Sequence, residues 1–215
     1  MGGDRIMYLD DAGSPAANLM ETKLLVNSTI SHVKDGARFM SADIKNYFLA
    51  TPMAQSEYMK VQYKHIPEDI RKKYNLQHIL TSDNCIYIHI KKEMYELKQV
   101  VILAYNQLKQ KLLPHGYSHV IGTVGLWQHD TRQTKFCQCV DDFVIKFYNK
   151  ADVNHLLQAI GNSYKYTTDW ECTNYCGLTF KWNYSAGYVD VSIPGNIQKT
   201  LKQLQHTPRT HPQYS

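Results

Sequence analysis

The chain has 215 residues, 43% of them hydrophobic and 20% charged, with a formal net charge of +5. This composition excludes global disorder, leaves apolar material for the core of one domain or a domain plus a lobe, and permits a polyanionic partner without demanding one. No apolar run reaches the length of a membrane span, the N-terminus lacks a signal peptide's apolar core, and five cysteines, an odd number without secretory context, point to a reducing compartment and a cytoplasmic setting.

In chain order, Met1-Gly2-Gly3-Asp4 reads as a frame that opens within a domain. Ser14-Pro15 is expected to start a helix, with Ser as N-cap and Pro in the first turn. Leu19, Met20, Leu24 and Val26 supply its apolar face as far as about Val33, and Gly36 ends the region. Arg38 to Ile44 reads as a strand that closes on an acidic residue. Glu57 to Tyr63 alternates and is expected to be a second strand. Pro67 to Tyr74 reads as a short helix with an acidic first turn and a basic last turn. Ile86 to Lys91 alternates again.

Val101 to Leu113 is the clearest amphipathic helix, stopped by Pro114 and Gly116. Val124 to His129 and Lys135 to Tyr148 carry β-type residues. Asp152 to Tyr164 fits another helix, with Asp152 as N-cap. Tyr175 to Tyr184 and Tyr188 to Ile193 read as strands joined by Ser185-Ala186-Gly187, and a last helix starts near Ile197. The tail, 207–215, is polar, holds two prolines with its flanks and is expected to be unstructured. Strands with helices between them and antiparallel hairpins make the fold class α+β.

The segment FCQCVDDFVIKF raises the question of function. Neighbouring strand residues face opposite ways, so an unbroken strand would bury one of Asp141 and Asp142, and a buried unpaired carboxylate is costly. A tight hairpin would instead present both at one end of a sheet. On its own this is an acidic hairpin tip without chemistry. Asp43, near the end of its own strand, changes the balance. Brought beside Asp141, it would create a cluster whose mutual repulsion a cation must relieve. Hard divalent ions with oxygen ligands suit such a cluster, Mg²⁺ above all. Two of them about 3.5–4 Å apart can serve an in-line phosphoryl displacement.

These stretches resemble the reverse transcriptase region of copia-type retrotransposon polyproteins over nearly the whole chain. FMSADIKNYFLATPM resembles the first catalytic motif, which implies Asp43 and the Ile44 carbonyl as metal ligands and Phe48 as the aromatic that screens the sugar 2′ side. MYELKQVVILAYNQL resembles the Tyr-Gly-Leu-Lys-Gln-Ala segment, which implies that Gln99 lies against the incoming nucleotide. CVDDFVIKF resembles the two-aspartate hairpin, which implies Asp141 as a metal ligand with Asp142 as its supporting neighbour. YTTDWECTNYCGLTFKW resembles the approach to the primer grip, with Tyr175, Cys176, Gly177 and Leu178 in its place.

The resemblance implies a polymerase palm of antiparallel strands backed by two helices within residues 1–206, with fingers-like portions at about 1–37 and 54–98 and a truncated thumb. It implies an RNA-directed DNA polymerase that adds deoxynucleotides to a primer 3′-hydroxyl with two Mg²⁺ ions, or Mn²⁺ in their stead. Its partners would be an RNA or DNA template with primer and a dNTP, without a membrane, in the cytoplasm or within retroelement particles. The chain departs from the family at Glu96, where Gly is usual, at Val100-Val101, where a small or Pro-containing pair is usual, and at Cys139. These departures leave a second reading open, a non-catalytic retroelement remnant that binds nucleic acid.

Cys137-x-Cys139 and Cys172-x₃-Cys176 lack the tighter paired spacing of zinc sites and read as plain thiols. Arg71-Lys72-Lys73, Lys91-Lys92, Lys98, Lys109, Lys111, Lys199 and Lys202 read singly as solvated faces and together suit phosphate contacts. Trp127, Trp170 and Trp182 read as packing residues rather than base-stacking ones.

Overall fold

The computed structural model describes residues 16–92, 100–123 and 125–205, apart from the side chains of 54–56. They divide into two compact units, one within residues 47–104 and the other within 16–46 and 105–205. The fold is α+β with antiparallel sheets.

Helix α1 (Leu19–Ser31) begins at Asn18 rather than at the expected Ser14-Pro15. The reason is a capping box: Asn18 Oδ1 accepts the Glu21 N–H at 3.0 Å, and Glu21 Oε2 accepts the Asn18 N–H at 2.8 Å. A single 3₁₀ turn, Val33–Asp35, then closes on Gly36, whose φ of +90° is the left-handed stop that only glycine adopts at little cost. Strand β1 (Arg38–Ile44) follows with the expected bounds.

In the smaller unit, β2 (Pro52–Gln62) pairs antiparallel with β3 (Cys85–Lys92), and Tyr58 stacks on His89 at 4.9 Å across the ribbon. Between them lies α2 (Glu68–Lys73), with Glu68 and Asp69 in its first turn and Arg71–Lys73 in its last, matching the helix dipole. Helix α3 (Val100–Leu112) runs from this unit into the larger one and ends through a 3₁₀ turn at Gly116.

The larger unit continues with β4 (Tyr117–His119), β5 (Leu126–His129), β6 (Lys135–Cys139), β7 (Asp142–Phe147), α4 (Lys150–Gly161) and β8 (Tyr166–Asp169). It closes with β9 (Asn174–Tyr175), β10 (Leu178–Asn183), β11 (Tyr188–Ser192) and α5 (Pro194–Gln203). Asn149, not Asp152, caps α4: its side chain accepts the Asp152 N–H, while Asp152 takes Arg132 at 2.8 Å. The expected strand Tyr175–Tyr184 is broken after Tyr175, and β4 and β8 are additions to the expected set.

Six strands form one antiparallel sheet in the order β4-β5-β6-β7-β1-β8. Pairing of Met40 with Ile145, Ala42 with Phe143, and Phe136 with both Ile145 and Trp127 puts these side chains on one face. Two helices back that face. The α3 segment from Tyr105 onward reaches it through Tyr105 on Trp127 at 5.6 Å, and α4 through His155 on the Tyr117 hydroxyl at 3.0 Å. These are the two helices expected from the sequence at Val101–Leu113 and Asp152–Tyr164.

The other face carries Phe39, Val144 and Cys137, which pack with Leu25 of α1 and with Cys172, Tyr175 and Phe180. Lys146, on this face and buried, donates from Nζ to the Ser28 carbonyl at 3.0 Å and to Ser28 Oγ at 2.7 Å, which pins α1 to β7. Burial lowers the Lys146 pKa, and the charge of Asp35 opposes that.

Phe39 joins the two sheets of this unit. It is fully buried, 4.9 Å from Trp182 and 6.4 Å from Phe180. Phe39→Ala is expected to lower the free energy of unfolding by about 3–5 kcal/mol, read from urea denaturation.

Candidate functional site

At the far end of β1, the ladder sets Asp43 directly opposite Asp142 of β7 and, on its other side, Thr167 of β8. Partners in such a pair have Cβ atoms about 4.5–5.5 Å apart. The turn between β6 and β7 is only Val140-Asp141, closed by the pair Cys139 and Asp142. Val140 has φ +60°, the left-handed region that a β-branched residue avoids at a cost of about 1–3 kcal/mol. Two hydrogen bonds hold it there. Gln138 Nε2 donates to the Val140 carbonyl at 3.1 Å, and the Ile44 N–H donates to the Asp141 carbonyl at 2.8 Å. The second ties the turn to the end of β1, so Asp141 and Asp43 share one end of the sheet.

Asp141 is therefore the turn residue and Asp142 the first residue of the return strand. The three carboxylates are half-buried. Burial raises the Asp141 pKa, its own backbone N–H opposes that, and the Asp43 charge adds to it. Burial likewise raises Asp142, helped by the charges of Asp141 and Asp43 and opposed by the Cys176 thiol. Among the described residues no lysine or arginine is ion-paired with any of the three. Thr167 Oγ1 lies 3.5 Å from Asp43 Oδ2, a long contact that does little to neutralise it.

The second hairpin, β9–β10, turns through Cys176-Gly177 with φ values of +46° and +79°, between the paired Tyr175 and Leu178. Two left-handed residues in succession make the primed turn that suits strand twist, and Gly177 takes one of them without strain. This turn carries Cys176 Sγ to 3.6 Å from Asp142 Oδ2. The residues read as a primer grip thus meet the carboxylate turn. The Cys139 thiol, drawn down to about 7 because Cys176 hydrogen-bonds to it, and the Cys176 thiol, driven up by the same contact, lie beside the carboxylates. Tyr175 is buried behind them, its phenol also raised by burial.

Thr167, Gln138 and the Cys139–Cys176 contact are features of the site that the sequence reading missed. Nothing in the sequence marks Thr167, which lies on the short polar strand β8. Phe48 lies in the other unit, buried in a 3₁₀ turn (Phe48–Ala50) with its ring 5.5 Å from Tyr47. Gln99 and Glu96 lie outside the described residues, as do Ser14-Pro15, Val124 and the tail.

No group of three or more His, Cys, Asp or Glu side chains among the described residues is gathered to hold a metal ion by itself. This donor set fits Mg²⁺ differently from Zn²⁺. Mg²⁺ keeps waters and is held by one or two carboxylates together with substrate phosphates. Asp43 and Asp141, two half-buried carboxylates without a protein cation, are that kind of donor pair.

The raised carboxylates have a consequence for stability. A raised folded-state pKa means that the folded chain binds more protons than the unfolded one above the ordinary carboxylate value of 3.8. This contribution to stability therefore falls as pH rises from there through the folded values. Asp142→Asn is expected to remove part of that fall, making the variant more stable at pH 7 by about 0.2–1 kcal/mol, the scale of a like-charge cross-strand pair. Urea unfolding of both proteins across pH 4 to 7 checks the sign.

No protein-family model and no curated protein matches the chain. Among solved structures, the chain is similar to telomerase from Candida albicans, in a complex with the TWJ fragment of telomeric RNA, with a TM-score of 0.37 and 11% identity. The match covers 76% of this chain and spans about a third, 33%, of that one.

Proposed function

We propose that this chain is the palm-centred part of an RNA-directed DNA polymerase of the copia-type retrotransposon class, which transfers a deoxynucleotide to a primer 3′-hydroxyl. The observation that carries this reading is the meeting of Asp43 and Asp141 at one sheet end, with Asp142 across the ladder from Asp43 and no protein cation paired to them among the described residues. Asp43, Asp141 and the Ile44 carbonyl would hold Mg²⁺. When bound, two such ions lower the pKa of the attacking hydroxyl and stabilise the leaving oxygen.

The rest falls to the chain's own groups. The strained Val140-Asp141 turn, tied to the Ile44 N–H, holds the Asp141 backbone at the end of β1 and so limits the positions its carboxylate can take. Asp142 adds negative charge next to it and holds the Cys176 turn in place. The β9–β10 turn would bear on the primer end, Phe48 would screen the sugar 2′ position, and Gln99 would support the nucleotide. The partners are a primed RNA or DNA template and a dNTP, in the cytoplasm or within retroelement particles.

Primer extension on an RNA template with Mg²⁺ tests this. The wild-type chain is expected to extend, and Asp43→Asn or Asp141→Asn to reduce extension by at least about a thousandfold, with duplex binding retained. Chelation of Mg²⁺ should abolish extension in the same way. Extension by Asp141→Asn at the wild-type rate would overturn the assignment. Binding without extension by the wild-type chain would select the non-catalytic remnant.

A further inference from the structure

A second site lies at the other end of β1. Arg38 is five residues before Asp43, roughly 17 Å along an extended strand. There Arg38, Lys150, Trp170, Lys181, Trp182 and Tyr184 line a cavity of about 680 Å³ within the larger unit, a volume typical of small-ligand sites.

Its walls are flat rings. Phe180, Trp182 and Tyr184 form a stack of near-parallel planes, 12° and 10° apart, with centroids 5.8 and 5.4 Å from one another. Trp170 stands edge-on to Phe147 at 5.9 Å and is 37% exposed, so unlike Trp127 it is no core residue. The cations sit on the rings. The Arg38 guanidinium is 4.7 Å from the Tyr184 centroid, and Lys150 Nζ is 5.2 Å from that of Trp170. Glu171 is the one acidic residue of the lining, against three basic ones. Asp190 is the cross-strand neighbour of Lys181, yet the two form no ion pair.

We propose that this cavity binds a nucleobase with its phosphate, the base stacking on Trp170 and the Trp182–Tyr184 face and the phosphate taken by Lys150 and Arg38. Flat rings bind any base through its π-face, and cations beside them bind the backbone without regard to sequence. The surplus of positive charge selects an anionic aromatic ligand over a neutral one. The site is separate from the carboxylates and does not rest on the polymerase reading.

Calorimetric titration of the full chain, with chelator present to exclude divalent ions, tests it. The two probes are adenosine monophosphate and a short single-stranded oligodeoxyadenylate. Binding is expected to weaken as salt rises, and to weaken at least about tenfold in Lys150→Glu and in Trp170→Leu, the scale of one stacked base. Lys150 is exposed in the first turn of α4, where an acidic residue suits the helix dipole, so Lys150→Glu should keep the wild-type unfolding midpoint. Binding of both probes identifies a free nucleotide as sufficient, and binding of the oligonucleotide alone identifies a strand. Absence of binding by both, or equal affinity in the two variants and the wild type, overturns the proposal.

Discussion

The antiparallel pairing of β1 with β7 is the constraint on which the rest of the larger unit depends. Its register sets Met40 against Ile145 and Ala42 against Phe143 on the face that the helices cover. The same register sets Asp43 against Asp142. Because side chains alternate with a period of two, core and carboxylates are fixed by one alignment. The apolar residues supply the free energy, about 1.5–3 kcal/mol for each large side chain fully buried. The acidic pair draws on that energy, since like charges directly opposite one another oppose folding.

The turn that carries Asp141 is strained. Val140 is held at positive φ by hydrogen bonds from Gln138 and to Asp141, while the apolar ladder runs undisturbed from Phe39 to Ala42. Cys176 supplies the one thiol hydrogen bond that eases Asp142. Strain and unneutralised charge that persist because the surroundings enforce them are common at functional sites. Here both are found on the same two-residue turn.

Much of this was legible in the sequence, and the reasons can be given residue by residue. Strand β1 and helix α3 were read with bounds good to a residue because their patterns are long and uninterrupted. The two-aspartate hairpin was legible because a buried carboxylate is so costly that a turn is the cheapest alternative. Helix starts were misread where two capping residues compete. Asn18 prevails through its reciprocal bond with Glu21, and Asn149 prevails over Asp152 because Lys150 and Ala151 extend the helix at little cost. Strands β4 and β8 were illegible: Tyr-Ser-His and Tyr-Thr-Thr-Asp have too few apolar residues to show a period, and each is held by its neighbour in the ladder. The break at Cys176-Gly177 had Gly177 as its only visible sign, because cysteine is not a residue that announces a left-handed turn.

The shared register has a consequence for how such a chain can change over time. Inserting or deleting a single residue within β1 or β7 would invert every following side chain, driving carboxylates into the helix-covered interior and apolar groups out of it. A lineage carrying this fold can therefore lose or alter its chemistry by exchanging side chains one at a time, while a frame slip in either strand would cost it the folded protein itself.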